Sequence, residues 1–121
     1  MIELEQIRAF ALSLPGVEEG PPVRAARRLA AFKVAGKGFA GIDTGGLAMT
    51  VSLAGDDAQA FLAEQPDAYE EIWRDRKFLG LRVDLSKIHV GTMKELVRKS
   101  WQHTAANHSA RKRPHTKLTN R

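Results

Sequence analysis

Three short runs of alternating apolar and small residues lie between residues 29 and 53, and Gly-containing segments separate them. This pattern is typical of a small antiparallel meander. A two-residue turn at Ala35 and Gly36 places Phe32 opposite Phe39, an aromatic pair that stabilises a hairpin by about 0.2–1 kcal/mol. The third run alternates strictly, so we expect one apolar sheet face and one small, mildly polar face. The meander therefore predicts a sheet that is covered on one side and open on the other.

Amphipathic segments on both sides of the meander predict the rest of the fold. We expect helices over residues 3–14, 56–66 and 92–107, and further strands over residues 67–77 and 79–85. Residues 67–77 also fit a helical turn, and the strand is the favoured interpretation. Asp56 and Thr92 are the predicted N-caps, because Gln59 and Glu95 follow three residues later. The order of elements indicates an α+β fold in which helices pack on one face of an antiparallel sheet.

Length and composition narrow the class of protein. A chain of 121 residues is long enough for one core but not for two. It contains no cysteine, so disulfides, thiolate metal sites and a cysteine nucleophile are excluded. No segment approaches the roughly 20 apolar residues that a membrane span needs. We expect a cytoplasmic protein that is a monomer or a weak dimer and has no membrane partner.

The positive charge is concentrated at the C-terminal end. The net charge is +5, and the last fourteen residues contain five basic side chains and no acid, so residues 1–107 carry 14 basic and 14 acidic ones. Because the last fourteen residues also have almost no apolar content to offset their ordering entropy, we expect them to be disordered. We therefore predict one domain over residues 1–107 and a flexible basic tail over residues 108–121.

Several short motifs resemble the MmcQ/YjbR family. They are ALSLPGVEEG at the end of the first helix, the hairpin FKVAGKGFAGI, the strand GLAMTVSL, the segment LRVDLSKI and the closing helix ELVRKSWQHT. The resemblance covers residues 4–105 in the same order and spacing. It implies a CyaY-like α+β fold, in which antiparallel strands and hairpin wings sit against helices. It also implies a double-wing arrangement that has been proposed to bind DNA.

Three groups of basic residues are candidate phosphate contacts. The first comprises the predicted loop of residues 17–28 and the adjacent hairpin, with Arg24, Arg27, Arg28, Lys33 and Lys37. The second and third are Arg74, Arg76 and Lys77 beside Trp73, and Arg111, Lys112 and Arg113 in the tail. Clustered Lys and Arg bind polyanions through counterion release. The alternatives are a solvated sheet edge whose lysines discourage aggregation and a tail that only aids solubility.

The two tryptophans have different expected roles. Trp101 lies on the apolar stripe of the last helix, so we expect it to pack in the core. Trp73 lies among basic residues, and packing in the core or at its rim is favoured over a base-stacking platform.

No catalytic or metal-binding constellation stands out. The four histidines lack a spacing that converges on one ion, and no Ser, His and Asp positions suggest a triad. We therefore expect a non-enzymatic module without cofactor or metal, with weak phosphate-directed DNA binding through the wing hairpins and the tail. The alternative is a protein-interaction or small-ligand-binding module. It would use the smooth open sheet face, predicted to carry Ala31, Ala40, Ala48, Thr50 and Ser52.

Overall fold

The computed structural model describes residues 2–20, 28–43 and 45–117, with side chains described for all of these except Arg28 and residues 107–117. Within this part, a six-stranded antiparallel sheet packs with three α-helices, which confirms the predicted α+β fold. The helices are α1 (Leu4–Ser13), α2 (Gly55–Glu64) and α3 (Val90–Lys117). The strands are β1 (Val17–Gly20), β2 (Arg28–Val34), β3 (Lys37–Asp43), β4 (Ala48–Ser52), β5 (Tyr69–Arg74) and β6 (Lys77–Asp84). The strand order is β1-β2-β3-β4-β6-β5.

The core lies between one sheet face and the helices. α3 contributes the fully buried Met93, Leu96 and Val97, and α1 contributes Ile7 and Ala11. The strands supply a row of buried apolar residues opposite them: Phe32, Ile42, Met49, Val51, Leu81 and Val83. Burying a side chain of this size stabilises the fold by about 1.5–3 kcal/mol. The alternation of the meander therefore does orient one face towards the helices.

β1 is a strand where the sequence predicted a loop. Its four residues pair with β2, from Val17 opposite Val34 to Gly20 opposite Ala31. Four residues are too few to establish an alternating pattern, and the pairing uses the backbone of an existing strand. β1 is also joined to α1, because Arg8 donates to both carboxylate oxygens of Glu19, at 2.7 Å and 3.0 Å. This bidentate hydrogen bond holds the pKa of Glu19 below its ordinary value.

Glu19→Gln tests the ion pair between α1 and β1. A lowered carboxyl pKa in the folded state contributes stability that is present above pH 4.5, the ordinary pKa value, and is lost as the pH falls through the lowered pKa. At pH 7 we expect a melting temperature about 2 °C lower than that of the unsubstituted protein. The difference should shrink as the pH falls below 4.5. Glu18→Gln, at an exposed neighbouring position, is the matched control, and an equal effect there would contradict the assignment.

The first hairpin has the predicted turn but not the predicted register. Ala35 and Gly36 form the two-residue turn, yet Phe32 lies opposite Ala40, so the predicted pair of Phe32 with Phe39 is wrong. The ladder shifts by one residue because Phe39 forms a β-bulge. The shift turns Ala40 towards the core, where it is buried. The carbonyl of Phe39 accepts a buried hydrogen bond from Ser100 Oγ at 2.6 Å, which ties the bulge to α3.

Both predicted N-caps are wrong, although the helices exist. α2 begins at Gly55 after Ala54, so Asp56 lies in its first turn. A carboxylate there interacts favourably with the positive end of the helix dipole. α3 begins at Val90, two residues before Thr92. Each helix begins three residues after the preceding element ends, which is β4 for α2 and a 3₁₀ turn (Leu85–Lys87) for α3.

Two further predictions concern residues 67–77 and the end of the last helix. Residues 67–77 contain β5, so the favoured strand interpretation is confirmed. α3 runs to Lys117, ten residues beyond its predicted end. The division into a domain of residues 1–107 and a tail of residues 108–121 stays a prediction. No helix in the described ranges is long and apolar enough to cross a membrane.

Candidate nucleic-acid interface

Two hairpins of the sheet have the same type of turn. β2 and β3 form wing 1, and β5 and β6 form wing 2; each turn consists of two residues with positive φ. The φ values are 54° and 80° at Ala35 and Gly36, and 52° and 66° at Asp75 and Arg76. Two consecutive residues with positive φ are typical of a type I′ turn, whose twist matches that of the strands. Asp75 and Arg76 adopt this conformation without a glycine, so their turn was not predicted.

The bulges of the two wings occupy equivalent places. In each wing two residue pairs follow the turn, and the ladder then skips one residue, Phe39 in wing 1 and Leu79 in wing 2. A bulge increases the local twist of a strand and bends it. The two tips are therefore twisted at the same distance from their turns.

Both wing tips lie at the same end of the sheet. β2, β4 and β5 run in one direction, because each neighbouring pair in the sheet is antiparallel. The turns follow β2 and β5, so they lie together at what we call the wing end. Three strand spacings separate the centres of the two hairpins, which corresponds to about 14 Å at about 4.8 Å per spacing.

The parts of the two wings nearest their turns carry five cationic side chains: Lys33, Lys37, Arg74, Arg76 and Lys77. The three in wing 2 are exposed, whereas the two in wing 1 are half-buried. Within the described part of the chain, none of the five has a carboxylate within 4.0 Å, unlike Arg8, Arg82 and Arg98. We call these five side chains the wing cations. Their charge is not neutralised by an ion pair in the fold.

Of the three loop arginines, only the backbone of Arg28 lies within the described residues. Arg24 and Arg27 lie outside the described residues, as does the side chain of Arg28. The backbone of Arg28 pairs with Asp43, at the end of β2 away from the Ala35 turn. The structure therefore separates Arg28 from the wing lysines, although the sequence had grouped them.

α3 runs towards the wing end. It begins after β6, whose last residue lies at the opposite end, and Ser100 then reaches the bulge of wing 1. Trp101 Nε1 donates to the carbonyl of Pro15 at 3.0 Å, just before β1 starts beside the wing 1 turn. The helix backbone continues from there to Lys117. The candidate tail residues Arg111, Lys112 and Arg113 lie on this continuation, and their side chains are outside the described part.

Acidic residues also occur at the wing end, in the helix layer. α2 begins three residues after β4 and carries Asp56 and Asp57 in its first turn. Asp57 has one distant cationic partner, Lys99, at 4.0 Å. The wing tips therefore carry a net positive charge, reduced by Asp75 in the turn of wing 2 and by Glu18 opposite Lys33, while the neighbouring helix start is negative.

The two tryptophans differ in their surroundings. Trp101 is half-buried against the core, as predicted. Trp73 is 57 % exposed, so it lies at the rim of wing 2 and not in the core. Its ring meets that of Phe78 nearly perpendicularly, with 5.4 Å between the centroids.

The open sheet face holds most of the predicted small residues. Ala31, Ala48, Thr50 and Ser52 lie there, but Ala40 faces the core because of the bulge. A cavity of about 410 Å³ opens at the end of the sheet opposite the wings, lined in part by Leu47, Tyr69, Glu70, Arg82 and Asp84.

Two of the charged groups that line this cavity, Arg82 and Asp84, have hydrogen-bond partners within the fold. Arg82 donates to Asp43 at 2.7 Å, and this carboxylate raises the pKa of the Arg82 guanidinium. Hydrogen bonds from Ser86 hold the pKa of Asp84 below its ordinary value. Burial, together with the nearby Glu64, raises the pKa of the Tyr69 hydroxyl. No group of three or more potential metal ligands occurs among the residues that the structure describes.

A family comparison matches most of the chain. A family model described as YjbR matches residues 12–103, which include both wings and most of α3 before the tail. Comparisons with curated proteins and with solved structures gave no match. Two motifs of the resemblance, around Pro15 and Trp101, are joined by the indole hydrogen bond, so they have a structural role. Since the match extends over more than half of the chain, this protein belongs to the YjbR family.

Proposed function

We propose that this protein is a non-enzymatic module that binds DNA weakly through phosphate contacts at the wing end. The observation that carries the proposal is the presence of five wing cations, without ion-pair partners in the described part, on two hairpin tips that point the same way. A cation that is already paired loses part of its attraction for a phosphate. The wing cations retain theirs.

The spacing of the wings fits two rows of phosphates. The hairpin centres are about 14 Å apart from strand spacing alone, and the major groove of B-DNA is about 12 Å wide. Flexible lysine and arginine side chains span the difference. Each wing would then follow one phosphate row, and the acids at the start of α2 would keep the helix layer away from the backbone.

Contacts of this kind position a protein without reading the base sequence. Phosphate contacts carry no sequence information, and their strength depends on the release of counterions. We therefore expect weak binding with little sequence preference and a steep dependence on salt. The tail residues Arg111, Lys112 and Arg113 would add further contacts, because α3 leads towards the wing end.

A salt titration tests the proposal. Duplex DNA binding is measured at several salt concentrations for the full chain and for a chain that ends at Asn107. If all five wing cations contact phosphates, the shorter chain should show a slope of log affinity against log salt of about −4 to −5, and the full chain a steeper one. Absence of salt-dependent binding by the full chain would refute the proposal. Binding by the full chain alone would assign the contacts to the tail.

The cavity on the open face favours a second candidate function. Leu47 at its border is 61 % exposed, and the neighbouring sheet face carries small side chains that form a shallow surface. A protein-interaction or small-ligand-binding module would use this surface. A crystal with a ligand in the cavity, together with an absence of salt-dependent DNA binding, would favour this alternative.

A further inference from the structure

Trp73 is an exposed aromatic ring at the wing end. It precedes Arg74 in β5 and is paired across the hairpin with Phe78, one pair away from the turn of wing 2. With 57 % of its surface exposed, it is among the few large apolar side chains that the described part leaves in solvent. Towards the turn it is followed by Arg74, Asp75 and Arg76, so this tip has a net positive charge. The core gains little from a ring in this position.

The ring is nevertheless held in place. Its Nε1 donates to Glu71 Oε1 at 2.8 Å, and Glu71 Oε2 accepts from Gln59 of α2 at 3.5 Å. Its contact with Phe78 is nearly perpendicular, with 69° between the ring planes, and Phe78 in turn packs against the core. A ring fixed in this way loses little conformational entropy when a ligand stacks on it.

The charges around Trp73 distinguish the kinds of ligand group that fit. The Glu71 carboxylate at the indole edge repels a phosphate, whereas Arg74 and Lys77, paired across the hairpin, attract one. Strand alternation directs Arg74 and Lys77 to the opposite face of the hairpin from the indole. A neutral planar group on the indole and a phosphate held beside the tip by these two long side chains therefore suit this end of wing 2 together. A nucleotide whose base is unstacked has both groups.

We propose that Trp73 is a stacking platform for an unpaired base, so that the wing end prefers single-stranded or locally unpaired nucleic acid. This inference rests on the proposed function and specifies its substrate class. Duplex bases are stacked on each other and do not offer their faces, whereas every base of a single strand does. Phosphate contacts from the wing cations bind both forms, and the indole adds affinity only for the unpaired one.

Trp73→Ala is the decisive variant. We measure the affinity of the full chain for a short oligothymidylate and for a duplex of equal length at one salt concentration. Loss of one stacked base should weaken single-strand binding by between about 5-fold and 100-fold, and it should leave duplex binding within about 2-fold. Quenching of intrinsic fluorescence by the oligothymidylate should be large in the unsubstituted protein and small in the variant. Trp73→Phe should retain part of the affinity.

Leu29→Ala is the matched control, because Leu29 is also an exposed apolar side chain but lies at the opposite end of the sheet, next to Arg28. It should change neither affinity. If Trp73→Ala weakens both forms equally, or neither, the stacking role is wrong even when salt-dependent duplex binding persists. If neither nucleic acid binds the unsubstituted protein, the proposed function itself fails.

Discussion

Replacing all five wing cations with glutamine is expected to weaken duplex DNA binding at least about 100-fold at low salt and to reduce the salt slope by about 4 to 5. The physical reason is that each of these side chains lacks an ion-pair partner in the described part of the fold and so releases one counterion when it neutralises a phosphate. The measurement is an affinity series over salt concentration with the full chain. The variant should fold, because wing 2 exposes its three cations and wing 1 only half-buries its two.

A pair of double variants separates position from net charge. Lys33→Gln with Lys37→Gln removes two charges from wing 1, and Lys87→Gln with Lys94→Gln removes two from the opposite end of the molecule. We expect the first pair to reduce the salt slope by about 2 and the second to leave it nearly unchanged. Equal losses would mean that binding follows the overall charge and has no site at the wing end.

Gly80→Ala is expected to destabilise the protein by about 3 kcal/mol and to lower its melting temperature by about 10 to 15 °C. A Cβ at this position would lie 1.9 Å from the carbonyl oxygen of Val51 and 3.0 Å from Ser52 Cα. Both obstacles are backbone, so β4 itself has to move away from β6. Gly80 follows the wing 2 bulge and joins that wing to the centre of the sheet. Thermal unfolding measures the loss.

Gly91→Ala is the control for the glycine substitution. Gly91 lies in the first turn of α3, and a Cβ there meets nothing within 4 Å. Alanine favours a helix over glycine, so this variant should be as stable as the unsubstituted protein or up to about 1 kcal/mol more stable. A Gly80→Ala protein that melts within about 2 °C of the unsubstituted one would show that the close approach of β4 and β6 does not limit the packing.

Structural features that follow from the local sequence pattern were predicted correctly. The alternation in β4 and the helical spacing of Met93, Leu96 and Val97 identify buried faces, since both periods follow directly from backbone geometry. The turn at Ala35 and Gly36 was found because glycine takes positive φ without strain. The turn at Asp75 and Arg76 carries no such signal.

The errors arose where a single residue changes the register. Phe39 bulges out of the ladder, and this moved Ala40 from the open face to the core and broke the expected aromatic pair. A bulge inverts the alternation of every residue beyond it, because the side-chain period of a strand is two. The short β1 and the exposure of Trp73 also depend on the tertiary structure, because β1 pairs with the free edge of β2 and no other element of the described part packs over most of the Trp73 ring.

The sequence by itself determined the class of fold, the covered face of the sheet and the identity of the cationic residues, because each follows from local spacing and composition. Only the tertiary structure decided which of those cations lie at the same end of the sheet. Strand order and direction bring Lys33 and Lys37 to the same end as Arg74, Arg76 and Lys77, and they leave Arg28 at the other end. Residues 33 and 76 are far apart along the chain, and their placement at the same end of the sheet comes from backbone pairing through β4, which no local pattern encodes.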